Sequence, residues 1–349
     1  MKIKHILIIR FRRVGDSILA LTLFHSLKKM FPEARIDFIL NKEIAPLYDN
    51  HPDINKVITF DQEENKDLFK YLKKVYKVTH QTHYDVIIDM RSTIKTLFFS
   101  LFSLSTPYRI GTKKAYTLLL HNYRIDNLSS DHLDKIQENL MLLKPLEQIT
   151  PLQHVPEFHL FITQEENMKF RCYMQQQGID FSRPVILAAV TARLQQKVWP
   201  IQYTQEVLWR IIKKYNAQIV FNFADKEKET ALKLHEEMHH SPNIFTNIEA
   251  KNLRELCALA CNSNFFFGNE GGPRHLSQSF NVPSFAIYSP DISKTRWLPN
   301  QGERFQGISI YDVATPEEIQ TLNYSQRWDL ITVDLVWEKV DKMLEKFLQ

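Results

Sequence analysis

The sequence predicts two doubly wound α/β domains, and three observations point there. Short β-branched runs alternate with longer amphipathic runs in both halves, the rhythm of parallel strands joined by helical crossovers. A stretch punctuated by Pro145, Pro151 and Pro156, with little periodicity, separates the halves as a linker does. The 349 residues supply two cores at about 150 residues each. With 44% hydrophobic and 24% charged residues, the composition is that of a folded chain and excludes disordered and fibrous classes.

In the first domain, residues 1–150, the strand candidates are Ile6 to Phe11, Arg35 to Leu40, Lys56 to Phe60, Tyr84 to Asp89 and Tyr108 to Ile110. A helix is expected over Ser17 to Phe31, where Ile18, Leu21, Leu27 and Met30 share a face, Asp16 is the N-cap and Pro32 the stop. A further helical stretch, Asp131 to Leu143, closes this half. In the second domain, residues 151–332, strands are expected over Val185 to Val190, Gln218 to Phe223, Asn264 to Phe267 and Ser284 to Tyr288. Its helices are Gln202 to Tyr215, Lys226 to Met238, Leu253 to Cys261 and Pro273 to Phe280. A last amphipathic helix, from about Val333 to Leu348, fills residues 333–349.

The balance of 44 Lys and Arg against 40 Asp and Glu gives +4, short of the clustered excess of a dedicated nucleic-acid binder, so no nucleic-acid partner is expected. Cys172, Cys257 and Cys261 form no disulfide framework or zinc spacing and point to a reducing compartment. The apolar run Ile6 to Ile9 meets Arg10, Arg12 and Arg13 at once; it is too short for a signal segment, so the chain is expected to begin in its fold. The run Leu97 to Leu104 is far shorter than the ~20 residues a bilayer span needs.

Glycine is the compositional outlier, with 8 residues where about 7% would give roughly 24. Three of them, Gly268, Gly271 and Gly272, lie together. Ligands of doubly wound sheets sit at the carboxyl ends of strands, so four loops draw attention. After the first strand, FRRVGDSILA places Gly15 and Asp16 at the mouth of a helix. Either Gly15 makes the turn and Asp16 caps the helix, or Asp16 is a general base, and the spacing leaves both open. After Phe267, GNEGGPRHLSQSF carries Glu270 and His275 around a Gly271–Gly272–Pro273 helix start, whose free amides suit an anion or equally a tight turn. After Val190, TARLQQKVWP offers Thr191, Arg193 and Lys197, a solvated basic loop or a counter-charge for a diphosphate. After Phe223, ADKEKE offers Glu227 and Glu229, ribose acceptors or a solvated helix start. Neither G-x-G-x-x-G after the first strand nor G-x-x-x-x-G-K-[ST] occurs, which disfavours dinucleotide oxidoreductases and P-loop nucleotidases.

Taken in register, the VGD followed by an amphipathic helix and FPEARIDFIL, the central KVWP, the EKE at a helix start and the late GNEGGPRHL resemble glycosyltransferase family nine, the ADP-heptose:lipopolysaccharide heptosyltransferases. The resemblance spans nearly the whole chain. It implies a GT-B fold, two Rossmann-like doubly wound domains facing a cleft, with the acceptor domain first, the nucleotide-sugar domain second and the C-terminal helix crossing back to the first. Position by position, Asp16 matches the catalytic base and Lys197 the lysine that meets the donor's phosphates. Thr191 would be a phosphate ligand and Glu227 a ribose or base contact, while Gly272 and His275 keep the family's roles. The late motif commonly reads D-T-G-P-x-H, whereas Glu270 and Gly271 stand here; both departures fall on the donor's sugar-diphosphate region and leave the sugar open.

The resemblance therefore implies an inverting transfer, without cofactor, from a nucleotide diphosphate sugar, ADP-heptose being the first expectation, to a hydroxyl of a lipopolysaccharide core-type acceptor. Asp16 would take the proton while Lys197 and the amides at Gly271 and Gly272 stabilise the leaving diphosphate. No D-x-D-like motif lies at a suitable loop, in keeping with metal independence. Arg12, Arg13, Arg91 and Lys95 stand where they could meet a lipid-anchored, anionic saccharide or be simply solvated. A cytoplasmic enzyme touching the inner face of the membrane fits this set. The alternative is a nucleotide-sugar-binding scaffold or sensor of the same fold that has lost transfer.

Overall fold

The computed structural model describes residues 2–126 and 133–348. The chain divides into two compact units, Met1–Phe161 and Ile162–Gln349, rather than at residue 150. The segment after Pro151 lacks regular structure yet is tied to the first unit. Val155 N–H donates to Ser26 Oγ at 2.9 Å, His51 Nε2–H donates to the His159 carbonyl at 3.1 Å, and Phe158 and Leu160 are buried.

The first unit holds a six-stranded sheet of β1 (His5–Ile9), β2 (Arg35–Asn41), β3 (Lys56–Phe60), β4 (Val86–Asp89), β5 (Tyr108–Thr112) and β6 (Tyr123–Ile125), in the order β3-β2-β1-β4-β5-β6. Every pairing is parallel. The second unit repeats the plan with β7 (Val185–Ala189), β8 (Gln218–Phe221), β9 (Ile244–Phe245), β10 (Phe265–Asn269), β11 (Ser284–Ile287) and β12 (Phe305–Ile308), ordered β12-β11-β10-β7-β8-β9 and again all parallel. Counted from its own first strand, each sheet has the doubly wound order 3-2-1-4-5-6. Strand order reverses between β1 and β4 in one unit and between β7 and β10 in the other, and ligand crevices of such sheets open at those points. The central strands are fully buried, from Ile6 to Ile9 and from Val185 to Ala188, as strands covered on both faces must be. The edge strands β6, β9 and β12 have no counterpart in the sequence reading. They are two to four residues long and partly exposed, so no apolar run announces them.

Two helix expectations are corrected. The stretch Ser17 to Phe31 is two helices, Val14–Leu19 and Leu21–Met30, and Asp16 lies inside the first turn of the former instead of capping it. Arg13 occupies the cap, with φ 57° and no side-chain hydrogen bond to the helix. Of the stretch Asp131 to Leu143, the first two residues lie outside the described residues; Asp134 then caps the helix Lys135–Leu140, and a 3-10 turn over Met141–Gln148 follows.

In the second unit, Trp199 is fully buried and its indole N–H donates to the Ile331 carbonyl at 2.9 Å. The terminal helix Val333–Phe347 packs Val336, Val340, Met343 and Leu344 into that same core, together with Leu208 and Ile211 of the helix Ile201–Tyr215. Its apolar face is thus packed within the second unit. Gly268 sits in β10 with φ 139°, and a Cβ there would lie 2.3 Å from the Ala189 carbonyl oxygen of β7. Its role is this close strand approach and not the anion loop that its sequence neighbours Gly271 and Gly272 suggest.

A titratable feature lies in the first unit, remote in sequence from these loops. Burial, reinforced by His25, pushes His51 down to about 4, and its Nδ1 accepts from Asp53 N–H at 3.2 Å. A histidine buried neutral makes the unfolded chain bind more protons below its ordinary pKa, so the associated stability is intact above about 6.5 and is lost as pH falls toward 4. The thermal midpoint is expected to drop over that window in wild type, and to drop less in His51→Gln. Equal slopes in a pH series of melting curves would remove His51 as the cause.

Candidate functional site

In the first unit the chain leaves β1 through Arg10. Its side chain is buried, and Nη2 meets Asp16 Oδ1 at 2.5 Å while Nη1 reaches the Met90 carbonyl at 3.5 Å, just past β4. A buried ion pair of this kind fixes the carboxylate's direction more than it stabilises the fold. Arg12 and Arg13 follow with φ 67° and 57°, a left-handed pair where glycine is the easy choice and where two long side chains store strain. The tight turn expected of Gly15 is made by these arginines instead. Arg12 N–H is held by Asn41 Oδ1 at 2.6 Å, at the end of β2.

The loop after β4 is folded by Asp89, whose Oδ1 accepts from Arg91 N–H at 2.9 Å and Ser92 N–H at 2.7 Å. Arg91 is thereby brought into the field of Arg10, Arg12, Arg13 and Asp16. Burial first, then Arg10, lowers its guanidinium pKa, opposed by Asp16. The structure thus gathers Arg12, Arg13 and Arg91 around Asp16. It does not gather Lys95, whose Nζ donates to the Asn65 carbonyl and lies 5.7 Å from the Tyr71 ring centroid.

In the second unit the loop after β7 carries three expected residues. Thr191 is buried, and its hydroxyl donates to Glu227 Oε2 at 2.8 Å; the same carboxylate oxygen accepts from Ala224 N–H at 3.2 Å. Lys197 ends a short 3-10 turn, Gln195–Lys197, and Nζ meets Glu270 Oε1 at 2.8 Å. Arg193 is exposed on the loop between them. These contacts join the carboxyl ends of β7, β8 and β10 around the point where strand order reverses.

Behind them the helix Gly272–Ser279 begins at Gly271 with Pro273 in its first turn and no side-chain cap, leaving its leading amides to an anion. Gly271 is in extended backbone, φ 163°, so its value is the absent side chain and not an unusual conformation. His275, in the same helix, is buried, and its Nδ1 accepts from Arg274 Nη2 at 2.8 Å. Burial and that guanidinium hold it well below the ordinary histidine value, hence neutral. It supports the helix through Arg274, which also donates to Gln278 Oε1 at 2.8 Å and the Trp297 carbonyl at 3.0 Å.

Sequence reasoning missed Arg10, although a charged residue directly after a fully apolar strand was its signal. It also missed Asn269, whose Oδ1 accepts from Trp199 N–H at 2.8 Å and whose amide donates to the Ala189 carbonyl at 3.1 Å. That bridge pins the loop bearing Lys197 to β10.

Comparison with known proteins decides the family. The model of glycosyltransferase family 9 (heptosyltransferase) matches residues 72–319. The chain belongs to glycosyltransferase family 9. This family 9 glycosyltransferase is 25% identical over 293 residues to the lipopolysaccharide core heptosyltransferase OpsX of Haemophilus influenzae, covering 82% of this chain and 79% of that protein. It is 22% identical to lipooligosaccharide heptosyltransferase 2 of the same organism, over 98% of this chain and all of that one. Among solved structures, a family 9 glycosyltransferase from Veillonella parvula superposes with a TM-score of 0.81 at 18% identity, over 99% of this chain and 98% of that one. The Escherichia coli ADP-heptose lps heptosyltransferase II does so with 0.74 at 20%, over 98% and 99%. These likenesses agree with the two Rossmann-like units of a GT-B glycosyltransferase. The family match begins after Asp16, so the loops of the first unit rest on their own geometry and on the longer pairwise similarity.

Proposed function

We propose that this glycosyltransferase moves a heptose from ADP-heptose to a hydroxyl of a lipopolysaccharide core-type acceptor, with inversion at the anomeric carbon. The observation that carries the reading is the Lys197–Glu270 pair at 2.8 Å beside an uncapped, glycine-flanked helix start. A cation and free amides at one switch point are what a departing diphosphate needs. The names of the relatives support the substrate class, and one solved neighbour, the Escherichia coli heptosyltransferase WaaC, was captured with ADP-2-deoxy-2-fluoro heptose.

On this reading the donor's diphosphate takes Lys197 from Glu270, and the released carboxylate accepts from a sugar hydroxyl. Thr191 meets the phosphates, and Glu227, to which it is bound, meets the nucleoside end. Asp16, aimed by Arg10, accepts the acceptor's hydroxyl proton as that oxygen bonds the anomeric carbon and the bond to the diphosphate oxygen breaks. Arg12, Arg13 and Arg91 balance an acidic group on the acceptor. His275, held by Arg274 through Nδ1, stays a donor-side residue at this helix start.

A thermal-shift series tests the donor assignment. A ligand that binds only the folded state at about a hundredfold excess over Kd adds about 2.7 kcal/mol, so ADP and ADP-heptose should raise the midpoint more than UDP, GDP or their sugars. Preference for a uridine or guanosine donor would replace the nucleotide, and no response to any of them would remove the donor assignment from the second unit's loops.

A further inference from the structure

We propose that one face of the first unit, built from residues 66–119, is a docking surface for an anionic lipid bilayer. The proposal takes its purpose from the lipid-anchored acceptor read above, but its geometry is independent of that reading. Among the described residues, nine of the fourteen exposed large hydrophobic side chains fall between Leu68 and Leu119, with Phe69 at 77%, Ile94 at 69% and Leu119 at 85% exposure. Lone exposed apolar residues are ordinary, whereas such a concentration in one region marks an interaction surface.

Charge concentrates in the same segment. Residues 66–119 carry ten Lys and Arg against three Asp and Glu, a net +7. The whole chain carries +4, so everything else sums to −3. The three acids are spent internally: Asp67 caps the helix Leu68–Gln81, Asp85 accepts from the Lys4 and His5 amides at 2.7 and 3.0 Å, and Asp89 is buried. Acids just outside the segment offset some of the cations, Glu63 facing Lys70, Glu64 facing Lys74 and Asp126 facing Lys113, which leaves Lys66, Lys73 and Lys77 exposed among the apolar side chains.

These side chains share a side of the sheet. The helices Leu68–Gln81 and Leu97–Leu101 bury Tyr71, Val75 and Phe99 in one cluster over β1, β3 and β4, so their outer faces point the same way. The crossovers from β3 to β4, β5 and β6 all run in one direction across the sheet, and right-handed connections put them on one face. That places the turn around Ala115–Thr117 with Leu118 and Leu119 beside the helices. Contacts knit the patch: Tyr76 packs on Phe102 at 5.7 Å between centroids, and Tyr116 Oη–H donates to the Ser92 carbonyl at 3.0 Å, two residues before Ile94.

Charge complementarity selects the occupant. Lysines around protruding apolar side chains suit an anionic headgroup layer, while a second copy meeting this surface through a two-fold axis would set the exposed Lys66, Lys73 and Lys77 against their own copies. The test is sedimentation of the full chain with phosphatidylethanolamine–phosphatidylglycerol vesicles and with phosphatidylcholine vesicles. The expected result is binding to the first that weakens with salt, and little to the second. The combined variant Phe69→Ser, Ile94→Ser, Leu119→Ser should lose about a hundredfold in vesicle affinity at an unchanged thermal midpoint, and should transfer to a deacylated acceptor as wild type does. Lys73→Glu with Lys77→Glu should also release the chain. Equal binding to both vesicle types, no binding at low salt, variants that sediment like wild type, or a dimer in light scattering that the serine variant dissolves would each overturn the docking surface. None of these outcomes depends on catalysis, and an inactive donor site would leave vesicle binding intact.

Discussion

Asp16→Asn is expected to lower kcat by about 10² to 10⁴, the usual worth of a positioned general base, while the affinity for ADP stays within a few-fold. The substitution keeps size and polarity and removes the ability to accept the hydroxyl's proton. Asp16 is no helix cap, so a cap's worth of stability is not at stake. The 2.5 Å pair with buried Arg10 is at stake, since a neutral amide leaves the guanidinium without its counter-charge, which costs a few kcal/mol in a buried pair. A melting curve of the variant separates this loss from the kinetic one. Full activity in a folded Asp16→Asn protein would remove Asp16 as the base.

The second large effect is at Lys197. Lys197→Ala should weaken ADP and donor binding by about ten- to a hundredfold, the loss of a charge-assisted contact worth roughly 1.5–3 kcal/mol. It should also slow the chemical step, because negative charge grows on the diphosphate as the glycosidic bond breaks. Glu270 would be left without its 2.8 Å partner. Calorimetry with ADP reads the first effect and single-turnover kinetics the second. Unchanged ADP affinity would take Lys197 out of the donor site and leave its pairing with Glu270 as a purely structural link between β7 and β10.

How far the sequence reached depended on where burial speaks. Both sheets were legible because their central strands are unbroken apolar runs, such as Ile6 to Ile9 and Phe265 to Phe267, all buried. The edge strands β6, β9 and β12 were not, since half-exposed strands of a few residues leave no pattern. In the second unit the loops were legible through scarce glycine and the residues that follow it. What sequence could not supply was pairing: that Thr191 holds Glu227 and Lys197 holds Glu270 depends on β7, β8 and β10 being neighbours. Glycine itself proved a mixed guide. Gly271 opens a helix start, Gly268 spaces two strands, and Gly15 leaves its expected turn to Arg12 and Arg13. His275, carried over by motif, turned out to be buried against Arg274.

Glycosyl transfer itself is read by incubating the full chain with ADP-heptose and a deacylated core-type saccharide and following the product by NMR. One ADP is expected to be released per new glycosidic bond, with the anomeric configuration of the product opposite to that of the donor. Retained configuration, or ADP released without a glycoside, would contradict inverting transfer.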